Sequence, residues 1–149
     1  MSARITGVAL MALGAFIAVA PAFAWYSAGP VGRPVRASGF AGAGELWVLP
    51  PLGGVAVLGG AALASADPAA RRNVARWAGP LVAVAGALCL GLALRAGLDP
   101  HVALRVSLPG ASERVPAPVD LEPAALLAPL AAGLVVGIGV VTGWIGARR

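Results

Sequence analysis

The sequence has no lysine: all eleven of its basic residues are arginine. It has one cysteine, Cys89, and one histidine, His101. A single cysteine excludes an intrachain disulfide, and one histidine with no cysteine beside it excludes a Cys/His metal cluster. Charged residues make up only 11% of the chain, against about 25% in ordinary soluble domains. A soluble chain of 149 residues, 59% of them hydrophobic, could not hide so much apolar surface. The formal charge of +5 could suggest nucleic acid, but the arginines lie in the gaps between apolar runs and form no patch. No nucleic-acid partner is expected. Arginine without lysine, beside much Ala, Gly, Val, Leu and Pro, matches the codon bias of a GC-rich bacterium.

What is abundant is uninterrupted apolar chain. Four runs, 5–25, 46–64, 77–94 and 124–147, hold about 18 to 24 residues each and no charge. A hydrocarbon core about 30 Å thick is crossed by ~20 helical residues rising 1.5 Å each. Backbone polar groups in lipid must bond within the segment, so such runs are helices, and they lack the alternation of barrel strands. The expectation is an all-α protein, a four-helix transmembrane bundle forming one integral membrane domain in a lipid bilayer. The first run has a second reading. Pro21 followed by Ala22-Phe23-Ala24 resembles a signal-peptide cleavage site after Ala24. The apolar stretch is long for a signal peptide, and the positive region before it is only Arg4 and the amino terminus, so an uncleaved helix is preferred.

Arginine placement sets direction. Arg4, Arg71, Arg72, Arg76, Arg148 and Arg149 fall on one side of a four-helix arrangement with a single acid, Asp67. Arg33, Arg36, Arg95, Arg105 and Arg114 fall on the other with five acids, Glu45, Asp99, Glu113, Asp120 and Glu122. The first group crowds short segments beside helix ends, and the second is spread over two longer loops. The positive-inside rule then puts both termini in the cytoplasm of a bacterial plasma membrane, crossed several times. Trp25 and Trp47 fall at the outer ends of the first two runs, Trp77 and Trp144 at the inner ends of the last two. With Arg71, Arg72 and Arg76 they are expected to anchor the chain at the lipid interface.

In the second outer loop, Val102, Leu104, Val106 and Leu108 alternate with small or polar residues, the pattern of a strand, and Pro109-Gly110 signals a turn after it. A lone strand is unstable, so a partner is expected around 31–38 in the first outer loop, giving a small extracytoplasmic β-element over the bundle. Pro50-Pro51 and Pro80 are read as early helix residues, where the first amides have no partner. Pro129 lies a turn inside the fourth helix.

Gly133-Leu134-Val135-Val136-Gly137 and Gly139-Val140-Val141-Thr142-Gly143 are two small-xxx-small motifs in the last run. Such spacing makes a flat stripe that another helix backbone can approach. Gly133, Gly137, Gly139 and Gly143 are therefore the expected helix-packing residues, serving the bundle itself, a membrane-protein partner or a second copy of the chain. No ionisable residue lies inside an apolar run, which argues against a self-sufficient ion-coupled transporter. His101, Ser107, Ser112 and Thr142 have no evident acid-base partners, and the glycines lie within the apolar runs, away from any phosphate-binding loop. No catalytic residue, cofactor or metal ligand is assigned, and the chain is not read as an enzyme.

The order of features resembles a family of small actinobacterial four-span membrane proteins associated with tryptophan-biosynthesis genes. The matching features are Ala24-Trp25-Tyr26 closing the first helix, Val35-Arg36-Ala37-Ser38-Gly39 in the outer loop, and Leu46-Trp47-Val48-Leu49-Pro50-Pro51-Leu52 opening the second helix. An arginine-rich inner loop and a glycine-rich fourth helix ending in Trp144 and an arginine pair complete the set. The chain is shorter than the family leads one to expect. The resemblance implies a four-span architecture and no catalytic residues. Taken together, the sequence is read as a structural or accessory membrane protein that packs with a membrane partner. The alternative is a component of a transport system for a small solute such as one related to amino acids.

Overall fold

Four long helices carry the chain, α1 (Ala3–Val19), α3 (Leu49–Ser65), α4 (Arg71–Leu98) and α5 (Pro123–Ala147), with a single helical turn, α2 (Gly39–Gly42), between the first two. A computed structural model describes residues 3–28, 35–42, 44–98, 103–108, 111–116 and 119–148. With short 3-10 turns extending the first two, all four helices are long and apolar enough to cross a membrane. Each packs on two others in a closed ring, α1 on α3 and α5, and α4 on α3 and α5. Neighbours run antiparallel, so Ala3 and Gly146 meet at one end of the bundle. That end also holds Arg71 and Arg72 and is called here the arginine end.

The helix boundaries follow from proline and from loop chemistry. α1 stops at Val19 because Pro21 disfavours helical geometry before it and brings no amide. A 3-10 turn, Ala20–Ala22, finishes the segment, and Phe23 donates its amide to the Ala20 carbonyl oxygen at 3.1 Å. α3 follows a second 3-10 turn, Gly44–Val48, with Pro50 and Pro51 in its opening turn. α4 is longer than its apolar run: it begins at Arg71, six residues before Trp77, and continues past Arg95 to Leu98. Charged residues end an apolar run without ending a helix. Pro80 therefore lies inside α4 and not at its start, where it lacks the amide that would bond Arg76's carbonyl. Pro129 lies inside α5.

At the opposite end, the sheet end, β1 (Ala24–Ala28) pairs antiparallel with both β2 (Val35–Ser38) and β5 (Asp120–Leu121). Strands from both interhelical loops thus form one small sheet. The expected pairing inside it is corrected. Residues 103–108 form β3 and pair with β4 (Ala111–Pro116), register Leu108↔Ala111 to Ala103↔Pro116, in a separate two-stranded sheet. The local partner wins because it is already adjacent along the chain. Residues 109–110, the expected turn, lie outside the described residues.

α1 and α3 bury Leu10, Ile17, Leu49 and Leu63, whereas the contact of α4 with α5 is packed with small side chains. α4 and α5 bury Ala75, Ala85, Ala93, Ala96, Ala125, Ala128, Ala131 and Ala132, with Val82, Cys89 and Val135 the larger residues among them. Leu81, Val84, Leu88, Leu130, Leu134 and Val140 face outward, Leu130 at 64% exposure. A bundle in water shows the reverse, with leucine inside and polar groups outside. Lipid tails are as apolar as leucine, so helix association there rests on close packing of small residues. Four apolar helices with large side chains outward are those of a multi-pass membrane protein.

Candidate functional site

Glycine shapes the two tightest helix contacts. Gly7 and Gly14 on α1 face Gly60 and Gly53 on α3, each within reach of the other's carbonyl. A methyl group on Gly7 would lie 2.5 Å from the Gly60 oxygen, and one on Gly60 would lie 2.6 Å from the Gly7 oxygen. The corresponding values for Gly14 and Gly53 are 2.7 and 2.5 Å. Between α4 and α5, a Cβ on Gly79 would strike the Gly143 backbone, one on Gly139 would sit 2.6 Å from the Ala83 nitrogen, and one on Gly146 would sit 2.6 Å from the Arg76 nitrogen. No Cβ fits at such distances, so these helices meet backbone to backbone.

Two of the four glycines expected to pack do so. Gly139 and Gly143 face α4, Gly143 against Pro80. Gly133 and Gly137 have nothing within 4 Å of an added Cβ. That corrects their assignment as contacts within the bundle: a helix turns about 100° per residue, and these two point away from the α4 seam. Gly60, with Ala56 and Ala64, is legible as a small-residue stripe of its helix, and the residues missed, Gly7, Gly14, Gly53, Gly79, Gly86 and Gly146, carry a readable signal. Gly7/Gly14, Gly53/Gly60, Gly79/Gly86 and Gly139/Gly146 repeat at a spacing of seven in every helix. Two turns hold almost the same face, drifting only about 20°.

Trp25 is a correction of another kind. It is 0% exposed and sits in β1, so it is no lipid anchor. The β1–β2 register slips between Ala24 and Tyr26, leaving Trp25 as the extra residue of a bulge. Strict alternation would put Trp25 and Tyr26 on opposite faces; the bulge lets both be buried. The Trp25 Nε1–H donates to the Ala20 carbonyl oxygen at 2.7 Å, and the Trp25 carbonyl accepts the Glu122 amide at 2.9 Å. The Tyr26 hydroxyl donates to the Ala96 carbonyl oxygen at 3.1 Å, and burial raises its pKa above 10.0. Gly39 leaves room for the indole, since a Cβ there would lie 3.1 Å from Trp25 Cδ1. Trp47, Trp77 and Trp144 are exposed, as interface anchors would be. Trp47 stacks on Phe40 with centroids 4.2 Å apart, and Arg148 lies over the Trp144 ring, 3.3 Å from its centroid. At the sheet end Arg36 of β2 pairs with Glu122 of the second outer loop at 3.4 Å, and Arg95 of α4 pairs with Glu45 of the first outer loop at 3.3 Å.

The arginine end holds the molecule's candidate site, a cavity of about 280 Å³ to which all four long helices contribute. Thr6 of α1, Leu63 of α3, Arg71 and Arg72 of α4, and Thr142 of α5 line it. Arg71 is partly buried: its Nη2 donates to the Ala66 carbonyl oxygen at 3.3 Å, and its Nε is buried without a partner. Thr142 is buried, whereas Arg72 and Arg76 are exposed, and Arg76 lies outside the cavity. Among the described residues no group of His, Cys, Asp and Glu could hold a metal ion. His101 lies outside the described residues. The positions of Ser107 and Ser112 oppose each other across β3 and β4.

Comparison with protein-family models, with curated proteins and with solved structures finds no match for this chain.

Proposed function

We propose that this protein is a structural or accessory component of a bacterial plasma membrane, with both termini cytoplasmic, that works packed against a membrane-protein partner or a second copy of itself. The observation that carries this reading is the unpartnered face of α5. The bundle uses Gly139, Gly143 and Gly146 for its own closure and leaves Gly133 and Gly137, four residues apart, open on the outside. Glycine in a transmembrane helix gives up side-chain contact with lipid, and its use is to let another backbone approach. The resemblance to the tryptophan-gene-associated actinobacterial family is compatible with such a role. The transport reading has no comparable observation behind it.

Native purification after crosslinking in the membrane tests this. The protein should run as a complex, and the Gly133→Ile/Gly137→Ile variant should lose the complex while keeping the fold, because both positions have open space. Migration as a lone monomer with no crosslinked product would overturn the proposal.

A further inference from the structure

We propose that the cavity at the arginine end binds a phosphate group, as the head of an anionic lipid or as the free ion. Three independent observations converge there. The first is the cavity itself, about 280 Å³, lined by residues of all four helices and open on one side. That is near the lower end of ligand sites, which run from about 300 Å³, and so suits a head group. The second is Arg71, a partly buried cation that lines the cavity. Its Nε has no acceptor in the protein and almost no exposed surface, so its charge is incompletely satisfied and the outer guanidinium nitrogens are the ones a ligand would meet. The other arm of the same guanidinium is held by Ala66, so its orientation is fixed before any ligand arrives. The third is the local field. Arg72 adds a second positive charge at the cavity wall, and Arg71 opens the 28-residue helix α4, placing the positive end of its dipole at the site. Arginine suits a phosphate because its fork of donors matches two oxygens at once. Thr142 and Thr6 bring hydroxyls to the same walls. Basic pockets between helices at the cytoplasmic side of a membrane are where lipid head groups bind.

The test uses the full chain in phosphatidylcholine nanodiscs, with and without phosphatidylglycerol, read by native mass spectrometry of the released protein. Inorganic phosphate is titrated in a separate arm and read as a shift in melting temperature. The wild type should retain phosphatidylglycerol selectively or be stabilised by phosphate, and the two arms tell the sources apart. Arg71→Gln should weaken the retained species about tenfold, the loss of a charge-assisted hydrogen bond. Arg76→Gln, which removes a charge outside the cavity, should leave it unchanged. Thr142→Leu keeps every charge but fills the cavity, and should weaken retention as Arg71→Gln does; it also decides the case if Arg71→Gln does not fold. Equal losses in Arg71→Gln and Arg76→Gln, or neither selective retention nor stabilisation by phosphate, would overturn the proposal. Because no variant here alters Gly133 or Gly137, the outcome is separate from that of the partner hypothesis.

Discussion

Gly14 and Gly53 each stand against the other's carbonyl oxygen, so that a side chain on either would be blocked by backbone. Side-chain rotation cannot relieve a clash of this kind. Gly14→Leu should therefore destabilise the protein by about 3 kcal/mol, the upper end of overpacking effects. Gly133→Leu, on the same scale, should stay within about 0.5 kcal/mol, as for a position with no neighbour to disturb. Unfolding of detergent-solubilised protein by SDS titration measures both. Similar losses for the two substitutions would mean that the α1–α3 contact is not the close one.

Trp25 fastens the sheet to the end of α1. Trp25→Ala removes a fully buried indole and should cost about 3–5 kcal/mol. Trp25→Phe keeps most of the packing but loses the donor to Ala20, and should cost about 1–3 kcal/mol. The buried indole should also be shielded from acrylamide, unlike Trp47, Trp77 and Trp144, which is measurable in single-tryptophan variants.

Tyr26 gives stability a dependence on alkaline pH. Burial raises its phenol above the ordinary 10.0. Below pH 10 the phenol is protonated in both states and the full contribution is present. Above it the unfolded chain loses the proton first, so stability falls as pH rises toward the folded pKa. Melting temperature followed from pH 9 upward should decline, and Tyr26→Phe should flatten that part of the decline. A Tyr26→Phe profile parallel to wild type would refute the assignment.

Membrane direction is a separate prediction, resting on the density of arginine at one end of the bundle. Reporter fusions after Arg72 should read cytoplasmic and fusions near Ser112 external. The opposite pattern would reverse the orientation and would place the phosphate cavity on the outer leaflet.

Much of the bundle was legible from apolar run length, because a membrane demands about 20 apolar residues whatever the details of packing. The helix ends were less so. Arg76 and Arg95 bound the apolar run 77–94, yet the helix continues through both. Trp25 looks like a belt residue in sequence, since only the bulge in β1 shows that its ring turns inward. The expectation of a sheet drawn from both loops was sound, but the partner of 103–108 was not, because alternation identifies a strand without naming its neighbour. The seven-residue glycine repeat is readable in the sequence of all four long helices. Nothing in the sequence announced the cavity, which exists only where the turn at Pro68 brings Arg71 beneath α1 and α5.

The inverted packing changes what mutation can do to this protein. Leu130, Leu134 and Val140 face outward, where one branched aliphatic is much like another. Gly7, Gly53, Gly79 and Gly139 have no substitute of any size. Drift should therefore erase the large residues and spare the smallest ones. Two distant descendants could share almost no leucine positions and still be recognised by the spacing of their glycines.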